Sequence, residues 1–122
     1  MFDHLSLQCD DLDASRRFYE TLLAPLGITV SMEFGDVLGL AGADGVPKFW
    51  LGKTTTGGAQ REIHLAFTAP NRATVDTVRR AAGRLDAEIL HEPREWPEYH
   101  PGYYAVFIRD PDSNNFEVVS HS

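Results

Sequence analysis

Residues 2–9 alternate with a period of two. Phe2, His4, Ser6 and Gln8 fall on one side and Leu5, Leu7 and Cys9 on the other, the pattern of a strand with one face against a core. The period then changes. Asp11 or Asp13 is placed to cap a helix running to about Leu23, with Ala14, Phe18, Leu22 and Leu23 at helical spacing and Pro25 and Gly27 closing it. Three strands are predicted next, at Ile28–Phe34, Val37–Ala41 and Lys48–Gly52, separated by Gly35-Asp36 and by Gly42-Ala43-Asp44-Gly45. The first half therefore reads β-α-β-β-β.

Residues 54–60, Thr-Thr-Thr-Gly-Gly-Ala-Gln, have no apolar period and read as a surface connector. After them the opening pattern restarts. Arg61–Ala69 is predicted as a strand with Ile63, Leu65 and Phe67 on its apolar side and His64, Ala66 and Thr68 on the other. Asn71 caps a predicted helix to Arg84, with Val75, Val78, Ala82 and Leu85 inward. Strands are expected at Ala87–His91, Tyr103–Arg109 and Asn115–Ser120, the last two joined by the turn Asp110-Pro111-Asp112-Ser113-Asn114. His91 to Gly102, rich in proline and aromatics, is expected to be a functional loop. The chain is thus expected to be one α+β domain over residues 1–122, with module 1 at about 1–53 and module 2 at about 61–122.

The repeat places a histidine at the same point of each half, His4 and His64. An internal repeat with an imidazole in register suggests two halves facing one shared site. Glu117, on the face of the last strand shared with Asn115 and Val119, needs a cation or a donor if it is buried. Two His and one carboxylate form a three-ligand set that suits Zn(II) with an open position, or the facial triad of non-haem Fe(II). His100 and Tyr103 are candidates for proton transfer, and Trp50, Tyr104 and Trp96 for the walls of a substrate pocket.

Composition narrows the function classes. A net charge of −7 without Lys/Arg runs argues against nucleic-acid and anionic-membrane partners. The single cysteine, Cys9, cannot form an internal disulfide and sits on an apolar face, so a buried inert thiol and a cytoplasmic setting are expected. The acidic, amphipathic opening is not that of a signal peptide or membrane span. No Gly-x-Gly-x-x-Gly, phosphate loop or Gly-x-Ser-x-Gly elbow occurs, which argues against nucleotide cofactors and serine hydrolysis.

The chain resembles the vicinal oxygen chelate superfamily: the glyoxalase, bleomycin-resistance and extradiol-dioxygenase group. The segments that carry the likeness are Asp3-His4-Leu5-Ser6-Leu7, Asp11-Leu12-Asp13-Ala14-Ser15-Arg16-Arg17-Phe18-Tyr19, His64-Leu65-Ala66-Phe67 and Arg109 through Glu117. His100-Pro101-Gly102-Tyr103-Tyr104-Ala105 resembles a poorly characterised glyoxalase-like subgroup. The resemblance implies two paired βαβββ modules forming an open curved mixed sheet around a concave pocket, in a homodimer. It implies a divalent metal (Fe, Zn, Mn or Ni) on His4, His64 and Glu117. The implied activity is Lewis-acid chemistry on an oxygen-rich small molecule, as a lyase, isomerase or extradiol-type dioxygenase. The alternative it implies is metal-free sequestration of a drug. Two departures stand out. Lys48–Gly52 lacks the Glu, His or Gln that supplies a fourth ligand in glyoxalases, and Ser113 replaces the usual turn glycine.

Overall fold

The computed structural model describes residues 1–122, which form two units, Met1–Gln60 and Arg61–Ser122. In the first unit, β1 (Leu5–Cys9) leads into α1 (Leu12–Leu23), a short 3-10 turn, and β2 (Thr29–Phe34), β3 (Val37–Ala41) and β4 (Pro47–Lys53). The sheet order is β1-β4-β3-β2, with β1 parallel to β4 and the other pairs antiparallel. Asp11 caps α1 by accepting the Ala14 N–H at 3.1 Å. The buried stripe of α1 is Ser15, Phe18, Tyr19, Leu22 and Leu23. The register puts Leu7 opposite Leu51, Leu38 opposite Leu51 and Leu40 opposite Phe49. These side chains share the core face, where the rings of Tyr19 and Phe49 meet at 5.1 Å. Cys9 is fully buried. Ser6, Trp50 and Gly39 lie on the other face.

The second unit repeats the order as β5 (His64–Thr68), α2 (Arg72–Arg84), β6 (Ile89–Glu95), β7 (Tyr104–Arg109) and β8 (Asn115–Ser120). Its sheet is β5-β8-β7-β6, with β5 parallel to β8. Asn71 caps α2 through the Thr74 N–H at 2.9 Å. Val75, Val78, Ala81 and Ala82 are its buried stripe. Phe116, Val118, Val106 and Ile108 share one fully buried face of the sheet. Each unit thus folds as βαβββ with its own four-stranded mixed sheet.

Strand ends differ from the sequence reading in instructive ways. β1 starts at Leu5, not at residue 2, so His4 stands just ahead of it. Continuing the Leu5–Phe49 register backwards would pair Asp3 with Pro47, where β4 begins and which has no N–H to give. β6 runs on to Glu95 through register shifts either side of His91, the second of which spans Pro93. As the sheet's edge strand it tolerates both the proline and the bulges. The expected long loop therefore shrinks to Trp96–Tyr103, closed by the Trp96 N–H donating to the Tyr103 carbonyl at 2.8 Å.

Candidate functional site

The turn between β7 and β8 sets the site's position. The Asp110 carboxylate accepts the backbone N–H groups of Asp112 and Asn114, each at 2.9 Å, and the Asn114 side-chain amide at 3.0 Å. Asn114 in turn accepts the Ile63 N–H at 3.0 Å, and the Asn115 N–H donates to the Ile63 carbonyl at 2.9 Å. These bonds pin the start of β5 to the start of β8. Ser113 adopts φ +66°, a left-handed conformation that glycine accepts more readily, which is why glycine is expected there.

With β5 fixed, Ala66 lies opposite Glu117, and His64, two residues earlier on β5, shares that face. Glu117 is 1% exposed. Its Oε1 lies 2.9 Å from His64 Nε2, and its Oε2 accepts the Tyr103 hydroxyl. An unpaired carboxylate in this position would cost several kcal/mol, on the order of 3–5 once a partner is removed. Both of its oxygens are satisfied here. Burial first, and then the bond to Glu117, push the Tyr103 phenol well above its ordinary value. Tyr103 therefore keeps its proton and acts as a donor holding Glu117. The ring of His64 stacks on Phe107 at 6.1 Å, and Phe107 lies opposite Glu117 on β7. Sequence reasoning passed over Phe107, although its period-two position on β7 was a usable signal.

His64 and Glu117 suit a borderline divalent ion: one imidazole nitrogen and one carboxylate oxygen, close enough to share it. No third His, Cys, Asp or Glu gathers with them within the second unit. In the first unit, His4 Nδ1 is 2.6 Å from Asp3 Oδ1, an arrangement that orients an imidazole and leaves Nε2 for another partner. His4 and Ser6 border an open pocket of about 490 Å3 with Phe34, Val37, Pro47 and Trp50. Trp50 lies across from Gly39, where a Cβ would come within 2.8 Å of the indole. Only glycine lets the ring lie down at this point. Phe34 meets Trp50 edge-on at 6.2 Å.

Three expected site residues take different positions. Tyr104 shares its face of β7 with the buried Val106 and Ile108, not with Glu117. Its hydroxyl donates to Asp76 of α2 at 2.7 Å, and Arg72 of α2 lies over its ring at 5.0 Å. It belongs to the helix-side packing, because period two turns neighbours on β7 to opposite faces. Trp96 is a core residue in a cluster with Ala105, Phe107 and Val119. Its indole N–H donates to the Ala105 carbonyl at 3.2 Å, Arg94 sits 3.5 Å from its ring, and Tyr99 stacks on it at 5.9 Å. His100 has both ring nitrogens engaged, with the Pro101 carbonyl at 2.8 Å and His121 at 2.9 Å. Its one contact toward Glu117 is indirect, through the edge of the Tyr103 ring at 5.2 Å.

The whole-chain comparisons agree with this architecture. No curated protein matches the sequence. Among solved structures, the chain is similar to a glyoxalase/bleomycin resistance protein from Albidiferax ferrireducens T118, with 23% identity over 98% of both chains and a TM-score of 0.83. It is similar to lactoylglutathione lyase from Agrobacterium tumefaciens, with 25% identity over 98% of this chain and 92% of that one and a TM-score of 0.70. It is also similar to the fosfomycin resistance protein FosX from Mesorhizobium loti, with 16% identity over 98% and 91% and a TM-score of 0.72. The sequence model of one superfamily matches residues 1–118, a span that takes in both repeats, the His64–Glu117 pair and the turn that aligns it. By that match the chain belongs to the Glyoxalase/Bleomycin resistance protein/Dioxygenase superfamily.

Proposed function

We propose that the protein is a small metal-dependent enzyme of the glyoxalase/dioxygenase type, acting on an oxygen-rich small molecule. The observation that carries this reading is the buried Glu117 carboxylate, with one oxygen against His64 and the other held by Tyr103. His64 Nε2 and Glu117 Oε1 would hold the ion, with His4 as the third donor implied by the sequence repeat. When bound, a divalent metal (Fe, Zn, Mn or Ni) supplies Lewis-acid polarisation of substrate oxygens. Tyr103 fixes the carboxylate's orientation. In the first unit, Trp50 and Phe34 offer flat apolar surface to a substrate's carbon skeleton. Trp50 stands where a fourth ligand is expected in glyoxalases, which supports a three-ligand set. Similarity to a lyase and to an antibiotic-resistance protein supports chemistry on small molecules.

The protein is further proposed to be a cytoplasmic homodimer. No helix is long and apolar enough to cross a membrane, and isologous pairing is the commonest way to close an assembly. Light scattering should give twice the 13.6 kDa chain mass.

Metal analysis of dialysed protein purified without chelators tests the main reading. One tightly held ion per chain is expected at this site in the wild type and is lost in Glu117→Gln or His4→Ala; a metal-free wild type would refute the reading. The aromatic pocket favours one second reading, metal-free sequestration of a planar drug. Under that reading, an aromatic ligand quenches Trp50 fluorescence equally well with and without chelator, and Trp50→Phe removes the signal.

A further inference from the structure

His100 and His121 meet outside the Glu117 site. Their rings stack at 5.1 Å with 19° between planes, and His100 Nε2 lies 2.9 Å from His121 Nδ1. The tautomers follow from the neighbours. The Pro101 carbonyl can only accept, so His100 Nδ1, 2.8 Å away, carries a proton. In a neutral imidazole that leaves a lone pair on His100 Nε2, and His121 Nδ1 then donates to it. An imidazole with one nitrogen tied to a backbone carbonyl and the other presenting a lone pair is set up as a metal ligand is.

The surroundings fix the backbone that carries the second imidazole. Gly102, at φ +86°, lets the turn approach so closely that a Cβ there would sit 3.3 Å from the His121 carbonyl oxygen. On either side of His121, the Ser120 and Ser122 hydroxyls are 3.0 Å apart, and Arg72 donates to the Ser122 carbonyl at 3.2 Å. Tyr103 packs its ring edge-on to both imidazoles, at 5.2 and 5.3 Å.

We propose that His100 and His121 form a second divalent-metal site, distinct from the His64–Glu117 pair, for a late first-row cation such as Zn(II) or Cu(II). Two ligand nitrogens at bond lengths of about 2.0–2.1 Å lie about 2.9 Å apart when cis at a right angle and about 3.4 Å apart at a tetrahedral angle. The observed 2.9 Å spacing equals the first, and a small opening reaches the second. In either case both rings turn so that the nitrogens, which face each other across the hydrogen bond, aim at a common ion. Binding requires His121 to move its proton from Nδ1 to Nε2, so that both facing nitrogens present lone pairs. Water fills the remaining positions, since no third His, Cys, Asp or Glu gathers with the pair. Imidazole donors without carboxylate favour zinc and copper over magnesium, calcium and manganese.

Titration of histidine-15N-labelled protein with zinc sulfate, followed by NMR, tests this. The His100 and His121 resonances should move together and saturate at one ion, with His121 switching tautomer. His100→Ala and His121→Ala should each weaken that event at least 10-fold. Both residues are exposed and lie outside the strands, and a far-UV spectrum checks that the variants fold. Glu117→Gln should leave the event in place. Persistence of the Nδ1–H tautomer of His121 at saturating zinc would show a hydrogen bond only and overturn the proposal. Unchanged affinity in His121→Ala, or loss of the event in Glu117→Gln, would overturn it as well.

Discussion

Two residues along the sheet from His64, β8 carries Glu117 opposite Ala66; two residues along from His4, β4 carries Trp50 opposite Ser6. The next strand compensates in each unit. Phe107 lies across from Glu117, and Gly39 across from Trp50. One scaffold thus accommodates either a carboxylate beside a phenyl ring or an indole beside no side chain at all. The exchange follows the surroundings: Glu117 is buried, whereas Trp50 borders an open pocket. It separates two jobs: the second unit keeps a buried carboxylate with two polar partners, while the first gives up that donor and gains an aromatic wall.

Substitutions that upset this exchange should hurt in opposite ways. Phe107→Ala removes the ring under His64 and opens a cavity beside Glu117. A loss of about 3–5 kcal/mol of stability is expected, measurable by urea unfolding. A loss below 1 kcal/mol would mean that Phe107 is not the packing counterpart of Glu117. Tyr103→Phe keeps the ring and deletes the donor to Glu117 Oε2. Metal affinity should fall about 10- to 100-fold, the usual consequence of removing a partner that orients a ligand; calorimetric titration of His121→Ala and of the double variant isolates this site from the histidine pair. Gly39→Ala pushes a methyl group against Trp50 and Pro47 and should cost about 1–3 kcal/mol. Adding Trp50→Ala should give back part of that loss, because the Pro47 contact remains. The helix caps serve as the control on the comparison. Asp11→Ala and Asn71→Ala should each cost about 1 kcal/mol, since here the two units solve the same problem in the same way.

Much of this architecture was legible in the chain. The change from period two to helical period, a cap at Asp11 or Asp13, another at Asn71 and the hairpin turns gave β-α-β-β-β for the first half and β-α-β-β(-β) for the second, because each rests on local backbone chemistry. The structure settles the first cap on Asp11. The face shared by Asn115, Glu117 and Val119 followed from alternation alone. What escaped depends on partners distant in sequence. That β1 starts only at Leu5 is set by Pro47 on another strand, and the length of β6 by bulges either side of His91. Tyr104 read as a pocket residue because a phenol beside Tyr103 and Gly102 invites it. Its direction is fixed by Asp76 on α2, 28 residues away in sequence. The pairing of His100 with His121 was likewise invisible, since one sits in an irregular turn and the other just past a strand.

The central claim is that Glu117 and His64 hold a metal ion. Anomalous diffraction at the absorption edge of the co-purified metal tests it most directly. The account predicts a single strong peak within about 2.0–2.2 Å of both Glu117 Oε1 and His64 Nε2, abolished in Glu117→Gln and retained in Trp50→Phe. Crystals of metal-loaded protein with no peak there, and with His64 still hydrogen-bonded to Glu117, would contradict it.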